Sequence, residues 1–547
     1  MKCTRFSRSQ SRVPSVSVDE IVKISKEPVS RRNLLKLGMA GATATTLASI
    51  DALTWAPKRI SAAPAVNFSD IQFDIGSFVH PAQTINGIQV QFGVVFTYLQ
   101  PVRLNRTPTK ADQTCLANAL TTIEANFPAS PSGVFVFVSY GLPYFRRLPS
   151  NLVTANVPRR NDGSNRSVLE EAVPSPTDVS SVNPGITKAT FNVPVQIESN
   201  DLLFTLRSDT LANATNVVAW LQGSNTLNGR SVPSPAFNGL FSFQAPRVNF
   251  VQPGLPRQLA NQHNFSFATE INPTSSMWMG FVDQQVNASA SPAVVTFAGT
   301  SAAVLTTARA GDYFDNGSIQ HLSHVLEDLP QFYNKDPNAF TGAEPFSERV
   351  QYMFNSKMSN GQPGLPYPQN PSDNFLNGGG QNAQGDMFQQ QQSAFLPNIF
   401  FGANDQSTNY DPATLADPTN PHKKYRVGHT SGLHRSSRTS NGTPLHIRVD
   451  GPGLSSLDVP SGAQTPTLEF TVFVPTAEFF RVMRINSASL DYVKAGQSGG
   501  TAASVPPGVE AADPDDIGLE RFLTATRRQN FLIPPRRHRA FPLLELT

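Results

Sequence analysis

The residues able to do chemistry in this 547-residue chain fall into four short stretches. The first is "MWMGFVDQQVN", residues 277–287, where an apolar run leads into Asp283. A carboxylate in that position either caps a turn by bonding its own downstream backbone or sits in a pocket and moves protons. The second is "SIQHLSHVLEDL". Taken as a helix, it sets His321, His324 and Glu327 on one face, where a divalent metal could meet three ligands, or where the same residues form a polar or partly buried structural face. The third is "YRVGHTSGLHRSSRTSNGTPLHIRVDGPG", residues 425–453, with His429, His434 and His446 among Arg426, Arg435, Arg438 and Arg448. Histidine can ligate iron and arginine pairs with carboxylates, so this cluster suits an anionic cofactor. The fourth is Gly496-Gln497-Ser498-Gly499-Gly500, which has the spacing of a hydrolase nucleophile elbow. That elbow needs a helix after the serine. "TAASVPPGVEAADPDD" cannot start one, so a loop is expected there.

The elements that must position these residues alternate irregularly. "IQVQFGVVFTYLQPV" is strand-like, "TKADQTCLANALTTIEANF" has apolar residues at helical spacing with Asp112 near its start, and "GVFVFVSYGLPYF" is a second buried strand. Residues 150–195 are rich in Pro, Ser and Asn and predict a long loop. "DLLFTLRSD" then predicts a strand and "TLANATNVVAWLQG" a helix. Later, "TPTLEFTVFV" predicts a strand, and "GLERFLTATRRQNFLIPP" a helix and then a short closing strand. A Gln/Asn/Gly/Pro-rich insertion occupies about residues 340–425. The pattern implies an α+β fold with long loops rather than a doubly wound sheet.

The N-terminus predicts export. Ser30-Arg31-Arg32-Asn33-Leu34-Leu35-Lys36, the weakly apolar "LGMAGATATTLAS" and the small residues of "SAAPA" resemble a twin-arginine signal cut after Ala63 or Ala65, delivering the protein to a periplasm or the outside. Residues 1–65 hold 11 of the 43 Lys+Arg and 4 of the 40 Asp+Glu, so the remainder carries a net charge of −4. A mildly acidic body gives no support for nucleic-acid binding. No apolar run is long enough for a spanning helix, so no stable membrane insertion is expected. Cys3 belongs to the signal, which leaves Cys115 alone and rules out both a disulfide within the mature chain and a cysteine-ligated cluster.

The order of the segments resembles the dye-decolourising (Dyp-type) haem peroxidase family, of the dimeric α/β barrel superfamily. "GVFVFVSYGLPYF" is similar to the segment ending that family's first repeat. "MGFVDQQVN" is similar to its Gly-x-x-Asp-Gly distal motif, and "SIQHLSHVLEDLPQFY" to the family's next segment. His429 and Arg448 match the proximal histidine and the distal arginine, and "GLERFLTATRRQNFLIPP" resembles the closing segment. The resemblance implies two ferredoxin-like halves, 66–250 and 251–547, with the haem pocket in the second.

It further implies haem b held by His429 as the iron ligand (His434 being the alternative), with Arg448, Gly280 and Phe281 beside it. Asp283 would be the proton shuttle and Arg448 the stabiliser of developing charge. The partners implied are hydrogen peroxide, an unknown organic reductant, the twin-arginine machinery and a second copy of the chain in a homo-oligomer. The chain departs from the motif at Gln284, where the family has glycine. Glycine permits backbone conformations that glutamine resists. The alternative expectation is therefore a non-catalytic secreted protein of the same fold that binds haem or has lost it.

Overall fold

The computed structural model describes residues 68–81, 83–85, 88–90, 92–174, 178–179, 188, 190–271, 275–279, 291–299, 305–334, 446–478, 480 and 522–547. Eight strands carry the architecture: β1 (Phe96–Leu104), β2 (Phe135–Gly141), β3 (Leu202–Ser208), β4 (Arg247–Phe250), β5 (Ser318–Glu327), β6 (Gly451–Ser455), β7 (Thr465–Val474) and β8 (Leu523–Ile533). They pair antiparallel in the order β4-β6-β7-β5-β8-β2-β3-β1. Because β1 also pairs with β4, the sheet closes into a barrel. The mixed α/β character expected from sequence is therefore present, with the sheet closed on itself.

Helix α1 (Lys110–Asn126) comes after β1, and α2 (Leu211–Leu221) after β3. In α1 the buried residues Cys115, Leu116, Ala119, Leu120 and Ile123 recur at helical spacing. Its start is fixed by a capping box between Thr109 and Asp112, with Arg106 pairing both carboxylate oxygens at 2.7 and 2.8 Å. The first four strands thus run β-α-β-β-α-β with lateral order β4-β1-β3-β2. The last four show the same lateral order, β8-β5-β7-β6. Among the described residues of this second set, the longest helix is the single turn Leu329–Phe332.

Three sequence expectations are corrected here. "SIQHLSHVLE" is the strand β5, with all ten residues buried, because it pairs on both sides, with β7 and with β8. "LTATRRQNFLI" is one 11-residue strand, β8, rather than a helix and a short strand. Its alternation puts Arg527, Gln529 and Phe531 toward the lumen and Arg528, Asn530 and Leu532 outward; sheet pairing here overrides helical propensity. Within 150–195, expected as loop, the turns of Ser150–Asn156 are helical.

The lumen has three levels. One end is plugged by aromatic and aliphatic residues: Phe135, Phe137 and Phe473 meet Phe73 and Phe78 from the segment preceding β1. Gln72 holds that segment in place, donating to Val138 O at 3.2 Å and Pro534 O at 2.7 Å. In the middle, Leu99, Leu203, Leu322 and Phe531 pack together. Beside them Gln320 accepts from Ser139 Oγ at 2.8 Å and donates to Thr205 Oγ1 at 3.1 Å. The far mouth is charged.

Closure between β4 and β6 runs through the Asn249–Gly453 pair. A Cβ on Gly453 would stand 2.5 Å from Thr467 Oγ1 and 2.7 Å from Val248 O. Gly453→Ala is therefore expected to cost about 1–3 kcal/mol, read as a lower urea midpoint with an unchanged m-value; a variant as stable as the parent would mean the seam has slack.

Candidate functional site

The two sets of four strands differ on their outer faces. In the first, Val136, Val138, Tyr140, Leu202, Phe204 and Leu206 point outward under α1 and α2, and the layer is nearly all apolar. In the second, register places His321, Asn530 and Val472 side by side, and beside them Ser323, Arg528 and Phe470. The edge strand before β6 adds Arg448, paired with Val472, and Asp450 two residues along on the same face. Burying polar groups costs free energy unless they are bonded, so a polar layer in place of an apolar one marks a candidate site.

Its bonding is specific. His321 Nδ1 lies 2.7 Å from Asn530 Oδ1, and Nε2 lies 2.6 Å from Ser323 Oγ. Asn530 Nδ2 donates to Glu170 O at 2.9 Å, which fixes the amide so that Oδ1 faces the imidazole. Nδ1 therefore donates to the amide oxygen, and both ring nitrogens are engaged. Phe480 stacks on this ring, centroids 3.4 Å apart and planes 14° apart, and Arg528 lies over Phe480 at 5.2 Å. Arg528 in turn grips Asp178 through both Nη atoms, and each partner is 2% exposed. Outside this layer Arg160 gathers Asp162, Glu170 and Glu478, drawing the covering segments together.

Arg448 and Asp450 are half-buried by their own exposed surface, yet enclosed enough that desolvation governs both. Burial lowers the arginine from its ordinary value while Asp450 opposes the shift; burial raises the aspartate while Arg448 opposes it. The pair sets a cation and a carboxylate next to the apolar rings of the sheet.

Of the residues expected from sequence, Arg448 lies on this face. Gly280, Phe281, Asp283, Gln284, His429, His434 and Ser498 lie outside the described residues, as do the export signal and the 340–425 insertion. The stretch leading to Asp283 is described at its beginning. Trp278 Nε1 donates to Gly453 O at 2.8 Å, and Tyr333 Oη donates to Trp278 O at 2.7 Å, so Trp278 is held against β6. The helical metal face is overturned: on a strand, His321 points outward and His324 into the lumen, so the two cannot share a ligand sphere with Glu327. Among the described residues no group of three His, Cys, Asp or Glu is placed to hold a metal ion. Asn530, Arg528 and Phe480 went unrecognised in the sequence; the alternation of "IQHLSH" was the signal that could have placed the histidines on opposite faces.

Residues 94–362 match the model of a family of unknown function, DUF7405. No curated protein matches the chain. Structural neighbours include DyP-type peroxidases. An encapsulated one from Mycobacterium smegmatis is 13% identical, covering 85% of this chain and 98% of that one at a TM-score of 0.40. A DypB variant from Rhodococcus jostii in complex with heme is 12% identical, covering 81% and 94% at 0.40. A dye-decolorizing peroxidase from Bacteroides thetaiotaomicron is 13% identical, covering 83% and 97% at 0.40. Likenesses this distant leave the activity to be argued from the residues.

Proposed function

We propose that the chain is an exported Dyp-type haem peroxidase built of two ferredoxin-like halves, which reduces hydrogen peroxide and oxidises an organic donor. The observation that carries this reading is the polar outer face of the second-half sheet, with Arg448 on it where the sequence resemblance calls for a cation. The residue types fit haem in kind: a flat, largely apolar group bearing carboxylates suits a face that combines Phe470, Val472 and Arg448. His429 would hold the iron as a neutral imidazole, with Gly280 and Phe281 near the ring. When bound, haem supplies the iron that polarises peroxide and the redox equivalents of the reaction. Asp283, ionised, takes a proton from one peroxide oxygen and returns it to the other. Arg448 stays protonated and faces the charge that grows on the departing oxygen.

The test is expression with haem supply and an absorption spectrum. A Soret band is expected; His429→Ala is expected to abolish or shift it. Asp283→Asn is expected to keep the band and slow reaction with peroxide by about 10²–10⁴-fold, and Arg448→Leu by about 10²–10³-fold. Folded protein without a Soret band after haem addition overturns the reading.

A non-catalytic secreted protein of the same fold is the second reading. Two observations favour it: Phe480 stacked on His321 occupies part of the face, and Gln284 stands where the resembled motif has glycine. In that case the band is absent, or it is present and the peroxide reaction is insensitive to Asp283→Asn.

A further inference from the structure

Residues 540–547 are held in a backbone conformation that their side chains resist. Among the described residues, eight other than glycine have positive φ, and six of these are Asn or Asp, which tolerate the left-handed region. The other two are Phe541 at φ +43° and Leu543 at φ +73°, on either side of Pro542. There the Cβ of an ordinary residue crowds the following carbonyl. Phe541 is strained a second time, because a proline ring pushes the residue before it toward extended backbone. Such backbone persists only where its surroundings over-determine it.

Three tyrosines do so here. Tyr140 on β2 accepts from Phe541 N at 2.7 Å and donates to Arg539 O at 2.8 Å. Tyr144, in the single turn Leu142–Phe145, donates to Pro542 O at 2.7 Å. Tyr313, in the segment ahead of β5, accepts from Leu543 N at 2.7 Å and donates to Glu545. From α1, Gln113 donates to Ala540 O and Phe541 O at 3.0 Å each and to Glu545 Oε2 at 2.7 Å. Lys110, also on α1, donates to Thr547 O at 2.6 Å.

The anchorage changes character at Ala540. Just before it, Arg536 and Arg539 pair with Glu124 at 2.6 and 2.9 Å, and Arg537 pairs with Asp70 and Asp315. Ion pairs therefore fix the chain up to residue 539. Residues 540–547 pair with no strand, so they can leave with the sheet intact. The hydrogen bonds and the buried Phe541, Leu543 and Leu544 hold them closed, while two left-handed residues work against closure.

We infer that residues 540–547 form a strained latch that opens as a unit while the barrel stays folded. Closed, it ties Tyr313 to α1 and β2. Opening releases the backbone strain, so the step costs less than the same contacts would impose on relaxed chain, and it frees Tyr313 ahead of the strand that carries His321. The device needs no haem and is independent of the peroxidase reading.

Hydrogen exchange of the full chain, followed by mass spectrometry across a urea series below the unfolding transition, tests it. Amides of 540–547 are expected to exchange at least about tenfold faster than those of β5 and β8, at a rate that urea hardly changes, the mark of a local opening. Exchange that rises with urea in step with β5 and β8 overturns the inference. Leu543→Ala and Leu543→Gly both lose the buried side chain, but only alanine keeps a Cβ at this φ. The glycine variant is expected to open about fivefold less often than the alanine variant. In relaxed backbone the order reverses, since glycine gains more freedom on release. An alanine variant as closed as the glycine variant, or more so, overturns the strain. Tyr140→Phe keeps the ring and removes the bonds to Phe541 and Arg539, and is expected to speed exchange of 540–547 about tenfold. Unaltered exchange in that variant overturns the role of the tyrosines in holding the latch.

Discussion

Glu327→Gln is expected to stabilise the protein at pH 8 relative to pH 5 by on the order of 4 kcal/mol when each is compared with the parent. Glu327 ends β5, is 5% exposed, and its Oε2 has no hydrogen-bond partner. Burial pushes its carboxyl up to about 8 from 4.5. The sign comes from proton counts. Between pH 4.5 and about 8 the folded chain keeps this proton while the unfolded chain has released it. The folded state therefore binds more protons in that window, and stability falls as pH rises through it.

Glutamine has nearly the shape of the protonated acid and no proton to lose, so it removes the fall. Any fixed cost of the new amide cancels in the difference between the two pH values. Urea unfolding of both proteins at pH 5 and pH 8 measures it. A stability difference that does not move with pH would mean that Glu327 is ionised and solvated at neutral pH. The residue stands close enough to Tyr333 to raise that phenol further, and Tyr333 holds Trp278 at the start of the Asp283 stretch.

Arg528→Met is expected to cost about 3–5 kcal/mol. The loss would come less from the missing attraction than from what remains, a carboxylate on Asp178 that is 2% exposed and has lost this guanidinium. The substitution also removes the guanidinium from over Phe480, the ring that packs on His321. Pairing Arg528→Met with Asp178→Leu is expected to recover most of the loss, since an apolar pair of similar volume replaces a buried ion pair at little net cost. Chemical denaturation of the two single variants and the double variant gives the coupling. If Arg528→Met costs under about 1 kcal/mol, the ion pair is screened as a surface pair would be and does not hold the face.

How much of this was legible beforehand can be argued residue by residue. Helix α1 could be read because Cys115, Leu116, Ala119, Leu120 and Ile123 repeat at the helical period after a capping threonine, and that information is local. "GVFVFVSYG" could be read as a strand because a run buried on both faces needs no alternation to betray it. The helical reading of "SIQHLSHVLE" failed for a physical reason. Three polar residues at i, i+3 and i+6 satisfy a helical wheel, but two of them also alternate about a strand, and only pairing with β7 and β8 chooses between the two. The closing segment failed in the same way, its arginines and glutamine being helix formers in isolation and sheet residues between two neighbours.

The sequence by itself determined the local elements, the lone Cys115 and the positions of the arginines, because helix period, turn residues and composition act over a few residues. It also set out the order of segments behind the peroxidase resemblance. Only the tertiary structure decided which histidine faces outward and which inward, and that Arg448 shares a face with His321. Those relations join residues as far apart as His321 and Asn530, 209 positions along the chain. They depend on strand register and closure, where a shift of one residue turns every side chain to the other face.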